Sequence, residues 1–341
     1  MTLADAAQTA HEPLAAAAEH RALREGCGLV DRSGRGKLAL TGADAVEFLN
    51  GQVTNELADL RGGDGRYAAF LTHKGKMLGD LRVLAVADAP GSPVHELQLD
   101  TERVALQALF DMIRRFKVGY DVQLHKGTLE RGLLSLIGPH SQALAGADSL
   151  AEAEHANAAL VVDGISALAV RTDVGVDLLC DARDTASLRA SLLERGATSV
   201  SEPAAECLRV ETGRPRYGID MDDSTIPQEA GINERAVSFT KGCYVGQETV
   251  ARLHYRGKPN RHLRGLRLSQ PGATGDPLLL GERDVGRLGS VAVSPTLGPI
   301  ALALVRREAQ PGAVLRVADS GATADVCELP FGGVASPASV D

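Results

Sequence analysis

Tryptophan is absent from the 341 residues, and aromatic residues make up only 3% of the chain. A ligand held by stacking would have to use one of five tyrosines or six phenylalanines. Cysteine is scarce too: Cys27, Cys180, Cys207, Cys243 and Cys327 are odd in number, widely spread and nowhere in a CxxC pair. That usage fits reduced thiols and argues against a disulfide framework or a self-contained zinc or iron–sulfur site. No apolar run reaches the 18 residues of a membrane span. The opening MTLADAAQTAHEPLAAAAEH has neither the basic start of a signal peptide nor the arginines of a transit peptide. It reads as an alanine-rich arm or helix, and the expected compartment is cytoplasmic. A net charge of −8 argues against a general nucleic-acid coat protein. No glycine-rich phosphate cradle is found, neither GxGxxG after a strand nor GxxxxGK followed by Ser or Thr.

What is present is ordinary for a globular protein: 44% hydrophobic and 23% charged residues, with enough length for two or three domains. The patterning is α+β. HRALREGCGLVD predicts a helix with a break near Gly28, GKLALTG a strand, and GADAVEFLNGQV a helix starting at Asp44. RYAAFLTHKGKMLGDLRVLAV reads as a hairpin turning at THKGK. HELQLD predicts a strand, and TERVALQALFDMIRRF a helix capped by Thr101. LLSLIG predicts another strand, SQALAGADSLAEAEHANA a helix, SALAVRT and GVDLLCD paired strands, and TASLRASLLERG a helix closed by Gly196. After residue 260 short strands alternate with Gly and Pro, the mark of a small β-barrel or sandwich. The expected organisation is an α+β region over 1–258, built of two interleaved subdomains, and a C-terminal β-barrel over 259–341.

Three stretches carry candidate chemistry. In FTKGCYVGQETVAR, Cys243 sits between Gly242 and Gly246, just before a helix predicted from VGQETVARLHYR. Val250, Leu253 and His254 form its expected buried stripe. The helix start and nearby Lys241 would favour a thiolate there; a small residue filling a gap is the alternative. Behind it Lys241, Arg252, Arg256, Lys258, Arg261, Arg264 and Arg267 gather in an otherwise acidic chain, which suggests an anionic partner or a solvated face. RVETGRPRYGIDMDDSTIPQEAG holds Glu211 before a loop too long for a simple turn. Its carboxylate could grip the amidine-like edge of a pterin or guanine, or pair with Arg209 or Arg214. Asp80, in KGKMLGDLRV, is either a solvated strand residue or a base facing a pocket. No metal-ligand spacing emerges from the nine histidines.

KGCYVGQETVARLHYRG closely resembles the signature of the YgfZ family, folate-binding proteins that assist iron–sulfur cluster assembly or repair and are related to the glycine-cleavage T-protein aminomethyltransferases. Lys241, Gly242, Cys243, Tyr244, Gly246, Gln247, Glu248 and Arg252 carry that signature. LVDRSGRGKLALTGADAVEFLNGQVTNEL resembles the T-protein N-terminal segment, RVETGRPRYGIDMDDSTIPQEAG its folate-pocket segment, and GRLGSVAVSPTLGPIALALV with ELPFG its C-terminal barrel. The resemblance implies an α+β, three-domain clover-leaf around a tetrahydrofolate pocket. It implies Glu211, Tyr67, Asp80 and Arg235 as folate-binding residues, with Asp80 and Cys243 as the catalytic ones. Gly79 stands where T-proteins usually carry a second aspartate, and Cys243 where they have an acidic residue. Both departures favour a folate-binding accessory of iron–sulfur assembly, partnered by client or assembly proteins, over a one-carbon transferase. The resemblance implies neither a resident metal, a membrane partner nor nucleic acid.

Overall fold

The computed structural model describes residues 16–318 and 320–332. The first fifteen residues of the expected alanine-rich arm lie outside this range. Residues 16–25 form helix α1. Strands β1 (Gly28–Asp31) and β2 (Gly36–Thr41), helix α2 (Ala45–Asn50) and the hairpin of β3 (Gly65–Leu71) and β4 (Met77–Val86) follow. Next come β5 (Glu96–Thr101), α3 (Leu106–Phe116), β6 (Gln123–Lys126), β7 (Arg131–Ile137) and α4 (Ser141–Ala145). The chain continues through β8 (Asn157–Val162), β9 (Ile165–Thr172), β10 (Gly175–Asp181), α5 (Thr185–Glu194), β11 (Thr198–Ser199) and α6 (Glu202–Glu211). Helices α7 (Asn233–Ala236) and α8 (Gln247–Arg256) lead into β12 (Arg261–Leu268), β13 (Pro277–Leu280), β14 (Arg283–Ser294), β15 (Gly298–Arg306), β16 (Val314–Val317) and β17 (Thr323–Cys327).

These make three modules: a five-stranded sheet in the order β3-β4-β5-β2-β6, a six-stranded sheet in the order β11-β1-β7-β10-β9-β8, and a closed barrel of β12 to β17. The fold is α+β, with the two sheets interleaved in sequence because β1 joins the six-stranded sheet before β2 opens the other. Among the described residues no helix is long and apolar enough to cross a membrane.

Strand β4 shows how sequence sorts the two faces. Its period-2 alternation buries Leu81 and Val83 with Phe70, Leu97, Leu99 and the helix residues Leu109 and Ile113. The same alternation sends Asp80 and Arg82 to the opposite face. There Leu84 meets Leu133, Val170 and Leu179 of the six-stranded sheet, so the sheets face each other across a small apolar contact. Helix α6 closes the space from the side. It starts at Ser201, whose hydroxyl accepts from the Ala204 N–H. Its Val210 packs against barrel residues Leu263, Ile300, Leu302 and Phe331.

Four local expectations differ from the structure. Leu29–Asp31 belong to strand β1, because Leu29 and Val30 are paired to β7 and buried there. Thr101 ends β5 in place of capping a helix, and a 3-10 turn over Arg103–Ala105 precedes α3. The expected helix over 141–158 stops at Ala145, where Gly146 adopts a left-handed conformation. On α8 only Val250 of the expected stripe is buried; His254 is exposed and stacks on Phe239 with ring centroids 3.7 Å apart.

Candidate functional site

Between the two sheets and α6 lies a cavity of about 190 Å³. Its wall is unusually charged, with seven arginines against five carboxylates. At its centre Tyr67 of β3 and Asp80 of β4 share one sheet face, since Ala69 pairs with Asp80 and Tyr67 with Arg82 across the ladder. The Tyr67 hydroxyl donates to Asp80 Oδ2 at 2.6 Å. Burial pushes the Asp80 carboxyl up to about 6, with Glu102 adding to the rise while Tyr67 and Arg35 oppose it. Burial, reinforced by the Asp80 charge, drives Tyr67 well above the usual phenol range, so it stays a donor. The carboxyl is thus poised to gain or lose a proton near neutral pH.

The arginines are held by acids. Asp100, fully buried behind Asp80, accepts from Arg35 Nε at 2.8 Å and Arg82 Nε at 2.7 Å. Burial opposes the charge, yet the two arginines hold Asp100 down at about 2. Arg82 also donates to Asp177 at 2.6 Å, tying the two sheets together. Arg235 on α7 sits 4.9 Å from the Tyr67 ring centroid and donates through Nε to Glu154 at 3.1 Å. Arg214 pairs with Asp173 at 2.6 Å and is the most exposed of the seven, at 35% of its side chain.

His155 completes the wall. It is 5% exposed, stands at φ +69°, and neither ring nitrogen has a hydrogen-bond partner. Burial first, then Arg82 and Arg235, pull it down to about 3, so the imidazole is neutral. Gly65 permits this loop to approach: a Cβ there would lie 2.2 Å from the His155 carbonyl oxygen.

Tyr67, Asp80 and Arg235 are therefore brought together, whereas Glu211 is not. On α6 Leu208 and Arg209, and just past its end Thr212, line the cavity, while Cys207 and Glu211 turn to the barrel side. There Glu211 is 1% exposed, accepts from Ser294 Oγ at 2.5 Å, and meets His20 Nε2 at 2.9 and 3.1 Å. Burial works against its charge, but His20 and Ser294 hold it below the usual glutamate range. Its oxygens have partners within the chain, and a heterocycle grip at Glu211 is carried by the family resemblance alone. The alternative pairing with Arg209 or Arg214 is not formed, since Arg209 binds Glu206 and Asp220 and Arg214 binds Asp173.

Cys243 is exposed and does not line the cavity. The lysine expected beside it points away: Lys241 Nζ donates to Asn50 O, Asn50 Oδ1, Val53 O and Asn55 O at 2.6–2.9 Å. Burial brings this ammonium down to about 8, so it stays charged at neutral pH within its ring of oxygens. Tyr244 is buried against it, its ring centroid 5.4 Å from Nζ, and burial lifts the phenol to about 12. Gly246 takes φ +85° at the start of α8, and Gln247 donates to the Gly242 carbonyl at 3.4 Å. Glu248 and Arg252 lie exposed on α8. The basic residues do not form one patch: Lys241 is buried, Arg261 pairs with Glu229 and Arg264 with Glu328. Arg82, Glu154 and His155 were not singled out by sequence reasoning. Only Arg82 left a trace, two positions after Asp80 on an alternating strand.

Comparison with known proteins agrees with this fold. Residues 8–241 match the GCVT N-terminal domain, and residues 261–332 match the glycine cleavage T-protein C-terminal barrel domain. The chain belongs to the glycine-cleavage T-protein family. It is 30% identical over 325 residues to an aminomethyltransferase of Rubrobacter xylanophilus, covering 92% of this chain and 85% of that one. It is 31% identical over 340 residues to an aminomethyltransferase of Streptomyces avermitilis, covering 92% and 88%. The crystal structure of glycine cleavage system aminomethyltransferase T from Bartonella henselae superposes with a TM-score of 0.82 at 26% identity, covering 95% of this chain and 91% of that one. Aminomethyltransferases of the family use tetrahydrofolate as the one-carbon acceptor. The segment carrying Cys243 falls between the two matched regions.

The cavity residues fit such a group on two counts. An excess of arginine suits an anionic glutamyl tail, and an unpartnered buried imidazole leaves hydrogen-bonding capacity for a polar ring.

Proposed function

We propose that the protein is a folate-dependent one-carbon transferase working in the Tyr67–Asp80 cavity. The observation that carries this reading is the 2.6 Å Tyr67–Asp80 hydrogen bond, buried in a wall of arginines, with the carboxyl raised to about 6. Tetrahydrofolate bound there would supply the nitrogen that accepts a one-carbon unit. Asp80 holds or takes a proton at its carboxylate and stabilises positive charge beside it. The Tyr67 hydroxyl keeps one carboxylate oxygen oriented. Arg235, anchored by Glu154, packs on the Tyr67 ring and fixes its position. Arg214, the most exposed cation of the wall, is placed to meet an anionic tail. Calorimetric titration of tetrahydrofolate, followed by assay of methylated and aminomethylated donors with wild type and Asp80→Asn, tests the reading. Binding with turnover that Asp80→Asn abolishes supports it; absence of binding removes it.

A second reading is favoured by one observation, the exposure of Cys243 in its Lys-Gly-Cys-Tyr setting, whereas Cys27, Cys180 and Cys207 are buried. On that reading the folate-binding protein is an accessory of iron–sulfur cluster assembly or repair, with Cys243 as the thiol presented to a client. One cysteine cannot ligate a cluster by itself, so a client or assembly protein is required. Cys243→Ala that still restores iron–sulfur enzyme activity to a deletion strain would count against this second reading.

A further inference from the structure

His155 is the one residue of the cavity wall whose polar atoms are buried without any partner. Its ring centroid stands 6.4 Å from that of Tyr67. The nearest acid, Glu154, lies 3.6 Å from Nε2, beyond hydrogen-bond reach, and bonds Arg235 instead. Leaving two buried ring nitrogens unpaired is destabilising, and native proteins rarely do so without a purpose. The backbone adds a second cost, because φ +69° places a histidine in the left-handed region. Loop 153–156 therefore holds an unsatisfied ring in a strained position at the wall of the site. A buried water is one way to satisfy it; a ligand edge is the other.

Resting on the folate reading above, we infer that His155 is a ligand-contacting residue, one nitrogen of its neutral imidazole hydrogen-bonding an uncharged polar group of a heterocycle seated beside Tyr67 and Asp80. A neutral imidazole has one N–H and one lone pair on nitrogens that point in diverging directions, so the nitrogen facing the cavity either donates or accepts, and the tautomer can follow whichever polar group a pterin-like ring presents there. Burial above all keeps the ring neutral, with Arg82 and Arg235 adding to it against the opposing charges of Asp173 and Asp177. A half-turn about the terminal torsion exchanges ring carbons and nitrogens, so a nitrogen can occupy whichever ring edge faces the cavity.

The test uses full-length protein with 15N-labelled histidine. His155 is assigned by the resonances missing from His155→Asn, a substitution chosen because asparagine tolerates the left-handed backbone. Tetrahydrofolate is added to saturation, and its affinity for wild type, His155→Asn and His155→Leu is measured by calorimetry. The expected result is a change in the His155 ring 15N shifts on binding, with affinity about tenfold weaker in His155→Leu and partly recovered in His155→Asn. If tetrahydrofolate binds wild type while the His155 resonances stay unmoved, the inference is overturned and the folate reading stands, whether or not the variants fold. If wild type does not bind tetrahydrofolate, both fall together.

Discussion

Tyr67 and Asp80 stand thirteen residues apart on adjacent strands of one hairpin, and the tyrosine hydroxyl donates to the aspartate at 2.6 Å. The geometry is built by the ladder itself: alternation on β3 and β4 puts both side chains on the face turned from the core of the five-stranded sheet. Four consequences of this arrangement and its surroundings can be measured.

The first concerns the proton on Asp80. Its folded-state value of about 6 lies above the ordinary 3.8, so the native state holds the proton more tightly than the unfolded chain. That contribution to stability is complete below pH 3.8 and is lost as pH rises through about 6. Asp80→Asn cannot ionise. It should melt at a higher temperature than wild type at pH 8, by the equivalent of roughly 1–3 kcal/mol, and with little difference at pH 4. On the transferase reading the same variant loses on the order of a hundredfold or more in turnover. A gain in stability with loss of activity would show strain kept at a working site.

The second concerns Asp100, which is 1% exposed between Arg35 and Arg82. Removing one partner from a buried charged network leaves the others uncompensated. Asp100→Ala is expected to cost about 3–5 kcal/mol at pH 7 by urea denaturation. Here the folded-state value is depressed to about 2, so the stabilisation is present above pH 3.8 and fades as pH falls towards 2. The gap between wild type and variant should therefore narrow in acid. A gap independent of pH would mean that packing, not charge, carries the loss.

The parts of this site that were legible in sequence are those set by local periodicity. The hairpin over 66–86 placed Tyr67 and Asp80 on neighbouring strands, and the Gly- and Pro-punctuated strands after residue 260 close into a barrel. Arg235 came only from resemblance to a family, because nothing local announces that a four-residue helix delivers it onto a tyrosine ring. Glu211 shows what periodicity leaves open. Its neighbours Leu208 and Thr212 reach the cavity, but at 100° per residue the next position faces the barrel, and the sequence does not reveal which face meets which module. His155 left no local trace, since a left-handed backbone and an unpaired ring depend on Gly65 and Tyr67 far away in the chain.

The third consequence separates two glycines that look alike in the Lys-Gly-Cys-Tyr-x-Gly segment. Gly246 has φ +85°, and a Cβ there would lie 2.6 Å from the Thr72 carbonyl oxygen in the β3–β4 turn. A Cβ on Gly242 would meet nothing within 4 Å. Gly246→Ala should destabilise by at least about 1–2 kcal/mol through backbone strain alone, more with the clash. Gly242→Ala should stay within about 0.5 kcal/mol of wild type. Thermal melts of the two variants decide it, and equal effects would mean the loop is held differently.

The fourth consequence follows from where the thiols lie. Cys27 and Cys207 are buried, and burial pushes both up to about 12; Cys180 is buried and raised as well. Cys243 is exposed, while Cys327 is half-buried at the end of β17. A thiol-reactive dye should titrate Cys243 first in the native protein, Cys327 more slowly, and the other three only on unfolding. In Cys243→Ala the fast phase should vanish. Because Cys243 does not line the cavity, the same variant should bind tetrahydrofolate as wild type does. Blocking the thiol with the dye then becomes a clean separation of the two readings. A one-carbon transferase working at Asp80 keeps its turnover after the block, whereas an accessory acting through its thiol keeps its folate and loses its effect on iron–sulfur clients.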